Sequence, residues 1–264
     1  MNEIKDVLTK KEPEYQLVDL SRFKCQEDCT DCNGYFRVDL PVDHPQFGQL
    51  FPCSTMQRKR VLENGGGGLL ADEVRNLNWN LVQEGISDGH KGRDIAREVC
   101  KQGYGLVLLY GNYGQAKTLM LKIGVAAALR AGKTAHYANM SEILDDIRMA
   151  FDEKNGQQTA LIRRIERWSA LDLLAIDELD KANSTEWARE RMHQLLNTRY
   201  TAALREQAVT LIAANLNEER GVDDLDGYLA SRLRDSRVGH LVELNGPDGR
   251  LSMPKGYGEE SELA

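Results

Sequence analysis

Apolar residues along the chain fall into two kinds of pattern. Short segments of strand length stand at Leu106–Tyr110, Lys133–Ala138, Leu171–Ile176, Val209–Asn215 and Gly239–Leu244, those at 106–110, 171–176 and 209–215 being almost wholly apolar, as expected of strands in a sheet. Between them the spacing becomes helical. Residues 90–102 read as a helix before the first strand, and an Ala-rich apolar segment from Leu119 to Ala131 follows it. Ile143, Ile147 and Phe151 recur at i, i+4 and i+8 after Ser141, a suitable N-cap, and Leu161, Ile165 and Trp168 share one face of a further helix. A long helix over 186–205 and a short one over 229–235 complete the pattern. Strands alternating with helices predict an α/β domain.

The first strand runs into Gly111-Asn112-Tyr113-Gly114-Gln115-Ala116-Lys117-Thr118 and then a helix. Strand, glycine-containing loop and helix form the setting of a phosphate-binding loop, in which backbone N–H groups and the helix N-terminus cradle phosphate oxygens. Lys117 would then lie against the β- and γ-phosphates of ATP, and the Thr118 hydroxyl would ligate Mg²⁺. One position departs from the pattern, because Ala116 stands where a glycine is expected before the lysine. Its methyl group crowds the phosphate, although alanine tolerates the helical backbone of a helix start. Binding should survive this better than fast hydrolysis.

About sixty residues further on, the run Leu171–Ile176 ends in Asp177-Glu178. An apolar strand closing on two acids supplies the other half of a metal site: Asp177 for the Mg²⁺ shell, Glu178 to polarise the attacking water. The fourth strand ends at Asn215, a polar residue placed to orient water beside the γ-phosphate.

The first sixty residues differ in character. Cys25, Cys29 and Cys32 follow a C-x3-C-x2-C spacing, and Cys53 comes about twenty residues later. Four thiolates make the tetrahedral set of a structural Zn²⁺, and so small a module buries too little apolar area to fold without help. His44 is a substitute ligand in principle, but a lone histidine next to Pro45 reads as a surface loop residue. Cys100 lies in a helical pattern and reads as plain core. Asn64-Gly65-Gly66-Gly67-Gly68 reads as a linker. The expected organisation is therefore a Cys-rich module over 1–63, a Gly-rich linker over 64–69 and a nucleotide-binding domain over 70–264.

The net charge is −7, from 34 basic and 41 acidic residues. That excludes a uniformly basic nucleic-acid coat and leaves room for a local patch. The best candidate stripe is Arg163, Arg164 and Arg167, opposite the apolar face of their helix. No run reaches transmembrane length and the first residues lack the apolar core of a signal peptide, so cytoplasm is the expected location, with no membrane partner.

Taken in order, GNYGQAKT, LLAIDEL, Asn197-Thr198-Arg199-Tyr200 leading into LIAANL, SRLRDSR and GHLVELNGPDGR resemble the DnaC/DnaI helicase loaders and the IstB-type transposition ATPases, in the initiator clade of AAA+ proteins. The resemblance covers about residues 70–252. It implies an AAA+ P-loop ATPase fold with a five-stranded parallel sheet in the order 5-1-4-3-2, a reduced lid, and assembly into a ring or spiral with ATP between subunits. It gives Asn215 the part of sensor 1 and Arg232 that of an arginine finger acting on the neighbouring subunit, a part Arg234 could exchange with it. Arg250 is similar to a sensor 2 arginine. The helix near 159–168 looks like the element that lines a single-stranded DNA channel.

The leading expectation is an ATP-dependent replicative helicase loader, its N-terminal module gripping the helicase while the ATPase oligomer touches single-stranded DNA. The alternatives are an IstB-type ATPase that assembles on duplex DNA and recruits a transposase, and an ATP-gated assembly scaffold with little hydrolysis, which Ala116 motivates.

Overall fold

The computed structural model describes residues 35–37, 40–44, 47–82, 88–149, 157–182, 185–216, 221–246 and 248. The chain divides into two compact units, 1–59 and 60–264. In the first, β1 (Tyr35–Arg37) and β2 (Leu50–Pro52) pair antiparallel, with Phe36 opposite Phe51. Cys53 follows β2 and is fully buried, its Sγ accepting the Met56 N–H at 3.5 Å. Cys25, Cys29 and Cys32 lie outside the described residues. His44 is buried, not the surface residue its neighbourhood suggested. Helix α1 (Ser54–Asn64) spans the division between the units.

The second unit is built on one sheet. Its strands are β3 (Gly105–Gly111), β4 (Ala135–Asn139), β5 (Leu173–Asp177), β6 (Val209–Ala214) and β7 (Gly239–Leu244), in the order β4-β5-β6-β3-β7 and all parallel. Counted within this sheet, that is the expected order 5-1-4-3-2. Leu106 to Leu109 of β3 are all buried. A strand covered on both faces has no polar alternation, which is why β3, β5 and β6 read as continuous apolar runs, while β4 and β7 at the sheet edges carry polar residues and are only partly buried.

Successive side chains still part to opposite faces. Leu106, Leu108, Leu174, Ile176 and Ile212 join one core with α5 (Met140–Met149), α6 (Gln157–Ser169), α7 (Glu186–Leu204) and α8 (Gly227–Leu233). Val107, Leu109, Ala175, Leu211 and Ala213 join the other with α2 (Ala71–Asn76), α3 (Gly89–Gln102) and α4 (Lys117–Arg130). Each fully buried leucine contributes about 2 kcal/mol. Helix α5 starts at Met140, so Ser141 lies inside its first turn and does not cap it. Phe151 lies outside the described residues. Thr185 caps α7, its hydroxyl oxygen accepting the Ala188 N–H at 3.2 Å. Among the described residues no helix is long and apolar enough to cross a membrane.

A charged residue lies inside the first core. Arg199 of α7 is wholly buried and donates to Ser169 O at 2.9 Å, Thr210 Oγ1 at 3.0 Å, and the carbonyls of Leu171 and Val209. It ties α7 to the segment entering β5 and to the start of β6.

The glycine run expected to be a linker is a closed turn. Gly66 and Leu69 exchange backbone hydrogen bonds of 2.9 and 3.1 Å, and the Gly67 carbonyl accepts the Tyr137 N–H of the outer strand β4 at 2.8 Å. A Cβ at Gly67 would come 2.4 Å from Ala135 O, and one at Gly68 2.2 Å from Tyr137 O. Four glycines in sequence signal freedom, but here they permit a close seat on another strand.

Candidate nucleotide site

The loop between β3 and α4 curls tightly enough for its peptide groups to converge. Gly111 and Gly114 have φ of 133° and 77°, values open to glycine. Ala116 has φ 58° and ψ 18°, the left-handed region, and not the helical backbone expected of it. For an L-residue this costs about 1–2 kcal/mol. Loop closure imposes that conformation, and the residue's own preference opposes it. Ala116→Gly would relieve the strain against about 0.4–1 kcal/mol of added freedom in the unfolded chain. We expect that variant to melt about 1–3 °C higher without nucleotide, by circular dichroism; an equal or lower melting temperature would show the strain to be absent.

Lys117 opens α4 with its ammonium buried in the loop, donating to Gly111 O at 2.7 Å and Asn112 O at 2.6 Å. Thr118 donates from Oγ1 to Asp177 Oδ2 at 2.6 Å. Asp177 ends β5, is buried, and takes the Glu178 N–H on Oδ1 at 2.9 Å. The chain turns sharply after it, with Glu178 at φ 52°, and the Glu178 carboxylate pairs with Lys181. Asn215 follows β6, its N–H donating to Asp180 Oδ1 at 2.9 Å. Gln115 donates from Nε2 to Gly246 O at 2.7 Å, which holds the turn after β7 against the loop.

Residues 113–118, Asp177, Glu178 and Asn215 all line one cavity of about 880 Å³, to which Glu73, Leu77 and Leu81 also contribute. The structure thus brings together the loop and both strand ends expected to act together. Such a cavity has the size of a cofactor site. A buried ammonium, the N–H groups opening a helix, and paired hydroxyl and carboxylate oxygens make a donor set that fits a phosphate chain with a divalent cation.

Three further residues at this site carried no motif. Tyr137 of β4 donates its hydroxyl to Asp177 Oδ2 at 3.0 Å. Burial pushes its phenol up and the Asp177 charge adds to this, so it stays a donor. Lys122 lies over the Tyr137 ring, 5.3 Å from its centre, and pairs with Glu73 Oε1 at 2.8 Å. Burial alone would raise the Glu73 carboxyl; its bonds with Lys122 and the Leu70 N–H outweigh that and hold it below the usual range.

The arginines are placed differently. Arg232 on α8 stacks over the Tyr228 ring, 3.4 Å from its centre, and donates from Nε to Asn197 Oδ1 at 3.0 Å. Arg234 pairs with Asp223. Neither lines the cavity of its own chain. Arg250 lies outside the described residues. On α6, Arg164 and Arg167 both pair with Asp146, the latter at 2.7 Å, and Arg163 is exposed. Among the described residues no group of three or more His, Cys, Asp or Glu side chains could hold a metal ion. Burial pushes the Cys100 thiol up to about 12, in keeping with a core residue.

No curated protein sequence matches the chain. Among solved structures, domain III of the Thermotoga maritima replication initiation protein DnaA superposes with a TM-score of 0.53 at 19% identity, over 69% of this chain and 70% of that one. The DnaC helicase loader gives 0.52 at 15%, over 66% and 100%. The replication initiator DnaA bound to AMPPCP and single-stranded DNA gives 0.52 at 20%, over 65% of this chain and 50% of that one. The chain spans about half the length of such longer initiator chains. At these identities the likeness is one of fold. The model of the ATPase family associated with various cellular activities matches residues 107–241, just over half of the sequence. That stretch runs from within β3 to within β7 and takes in the phosphate loop, the Asp177–Glu178 strand end and the helix of Arg232, so the chain belongs to the AAA family of ATPases.

Proposed function

We propose that the protein is an ATP-dependent helicase loader that assembles with ATP between subunits and contacts single-stranded DNA. The observation that carries the reading is the convergence of Lys117, Thr118, Asp177 and Glu178 on one cavity, while Arg232 lies outside it, stacked on Tyr228. An arginine fixed away from its own chain's cavity suits action on a neighbouring subunit's nucleotide, where its charge would stabilise the transferring phosphoryl group. The fold is shared with a helicase loader and with an initiator bound to AMPPCP and single-stranded DNA, and this supports the same reading.

Within the site, Lys117 would neutralise the β- and γ-phosphates, and Thr118 and Asp177 would hold the Mg²⁺ shell. Bound Mg²⁺ supplies charge neutralisation at the phosphates. Glu178 would accept a proton from the attacking water while Asn215 orients it. The unit 1–59 would dock the replicative helicase, with Cys25, Cys29, Cys32 and Cys53 as ligands of a structural Zn²⁺. Arg163 and Arg167 are the exposed members of the stripe proposed to meet DNA, and Asp146 pairs with Arg167 as well as with the half-buried Arg164.

The test is light scattering with ATP and single-stranded DNA, with metal analysis of the same sample. ATP should drive assembly. Glu178→Gln should lower turnover about 100-fold or more and keep the ATP-bound oligomer intact. A protein that stays monomeric with ATP and DNA sinks the loader reading, and parental turnover in the glutamine variant removes Glu178 from the chemistry. The left-handed Ala116 favours a second reading, an ATP-gated scaffold; assembly with no measurable phosphate release would select it.

A further inference from the structure

Asp177 is held by three donors from three directions. The Glu178 N–H reaches Oδ1, while the Thr118 and Tyr137 hydroxyls both reach Oδ2. Thr118 is itself a candidate metal ligand, so its oxygen has a second duty once a cation is present. Tyr137 has none. It stands on β4 opposite Ala175 and reaches diagonally to the last residue of β5, whose own partner is Asn139. Diagonal neighbours on adjacent strands lie within reach of an aromatic side chain.

The ring is fixed at several points before it touches Asp177. Its backbone N–H is bound by Gly67 O at 2.8 Å, and its face carries the Lys122 ammonium, itself tied to Glu73 at 2.8 Å. A carboxylate at a strand end turns easily about its last torsion, and a hydroxyl fixed in this way selects one orientation at little entropic cost.

We propose that Tyr137 is a positioning residue for the metal-binding carboxylate: its hydroxyl sets the orientation in which Asp177 meets Mg²⁺. The assignment rests on the nucleotide–magnesium reading of the cavity. Outer partners of metal ligands, when removed, typically cost about 10–100-fold in metal affinity.

The experiment is a Mg²⁺ titration of fluorescent ATP-analogue binding to the full chain, comparing the parent with Tyr137→Phe and Tyr137→Leu. The phenylalanine variant keeps the ring beneath Lys122 and loses only the hydroxyl. Its Mg²⁺ half-saturation should rise about tenfold, while analogue binding in EDTA stays at the parental value and the nucleotide-free melting temperature falls only by the few degrees that one lost hydrogen bond costs. The leucine variant should show the same Mg²⁺ shift with a lower melting temperature. A Tyr137→Phe curve that coincides with the parent's, or moves to lower Mg²⁺, overturns the assignment. So does a shift confined to Tyr137→Leu, because ring packing would then carry the effect. A parent whose analogue binding ignores Mg²⁺ removes the reading beneath it and this assignment together.

Discussion

Replacing Lys117 with alanine is expected to weaken ATP binding about 100-fold or more. The ammonium is buried in the loop and bonded to Gly111 O and Asn112 O, so it stands in a water-poor cradle where a charge acts strongly. Removing one member of a desolvated charge pair costs about 3–5 kcal/mol, which corresponds to more than two decades in Kd. Two loop carbonyls also lose their donor, at about 1 kcal/mol each. The nucleotide-free protein should therefore melt slightly lower while remaining folded. Calorimetric titration with ATP and Mg²⁺ checks the prediction; parental affinity in the alanine variant would place the phosphates elsewhere.

The second large effect lies away from the cavity. Arg199→Ala is expected to cost about 4 kcal/mol or more, because four acceptors lose their donors and a void opens in the core. In a unit of about 200 residues this lowers the melting temperature by roughly 8–16 °C. Arg199→Lys should rescue little, since an ammonium cannot span acceptors arranged for a planar fork. Burial pulls the Arg199 pKa down to about 10, which leaves it charged at neutral pH. No atom of Arg199 lines the cavity, so ATP affinity of the folded protein should be unchanged. A melting temperature within 2 °C of the parent's would contradict this account, and scanning calorimetry decides it.

These two residues mark how far sequence reasoning reached. The convergence of Lys117, Thr118, Asp177 and Glu178 on one cavity is legible because a strand–loop–helix and an apolar strand closing on two acids place them at the same end of the parallel sheet. The three central strands β3, β5 and β6 are legible because burial on both faces removes alternation, as at Leu106–Leu109, whereas the edge strands β4 and β7 are only partly buried. Arg199 belongs to a quoted motif, yet nothing in its spacing shows a guanidinium in the core. Tyr137, Lys122 and Glu73 were missed for a related reason. Their contacts join positions 40 or 49 residues apart, and only the register of β4 on β5 and the packing of α2 bring them together. Helical periodicity put Arg164 and Arg167 on one face, but not Asp146 opposite them. At Ala116 the residue type argued for one backbone conformation and loop closure required another.

The glycine turn has a consequence for the company the protein keeps. An outer strand presents unpaired peptide groups that can template pairing with a foreign chain. At β4 the Gly67 carbonyl already occupies the Tyr137 N–H, and two residues without side chains lie flush against that rim. Any larger residue there would lift the turn away and leave a bare margin for self-association. Those glycines let the turn cover part of the sheet's open edge.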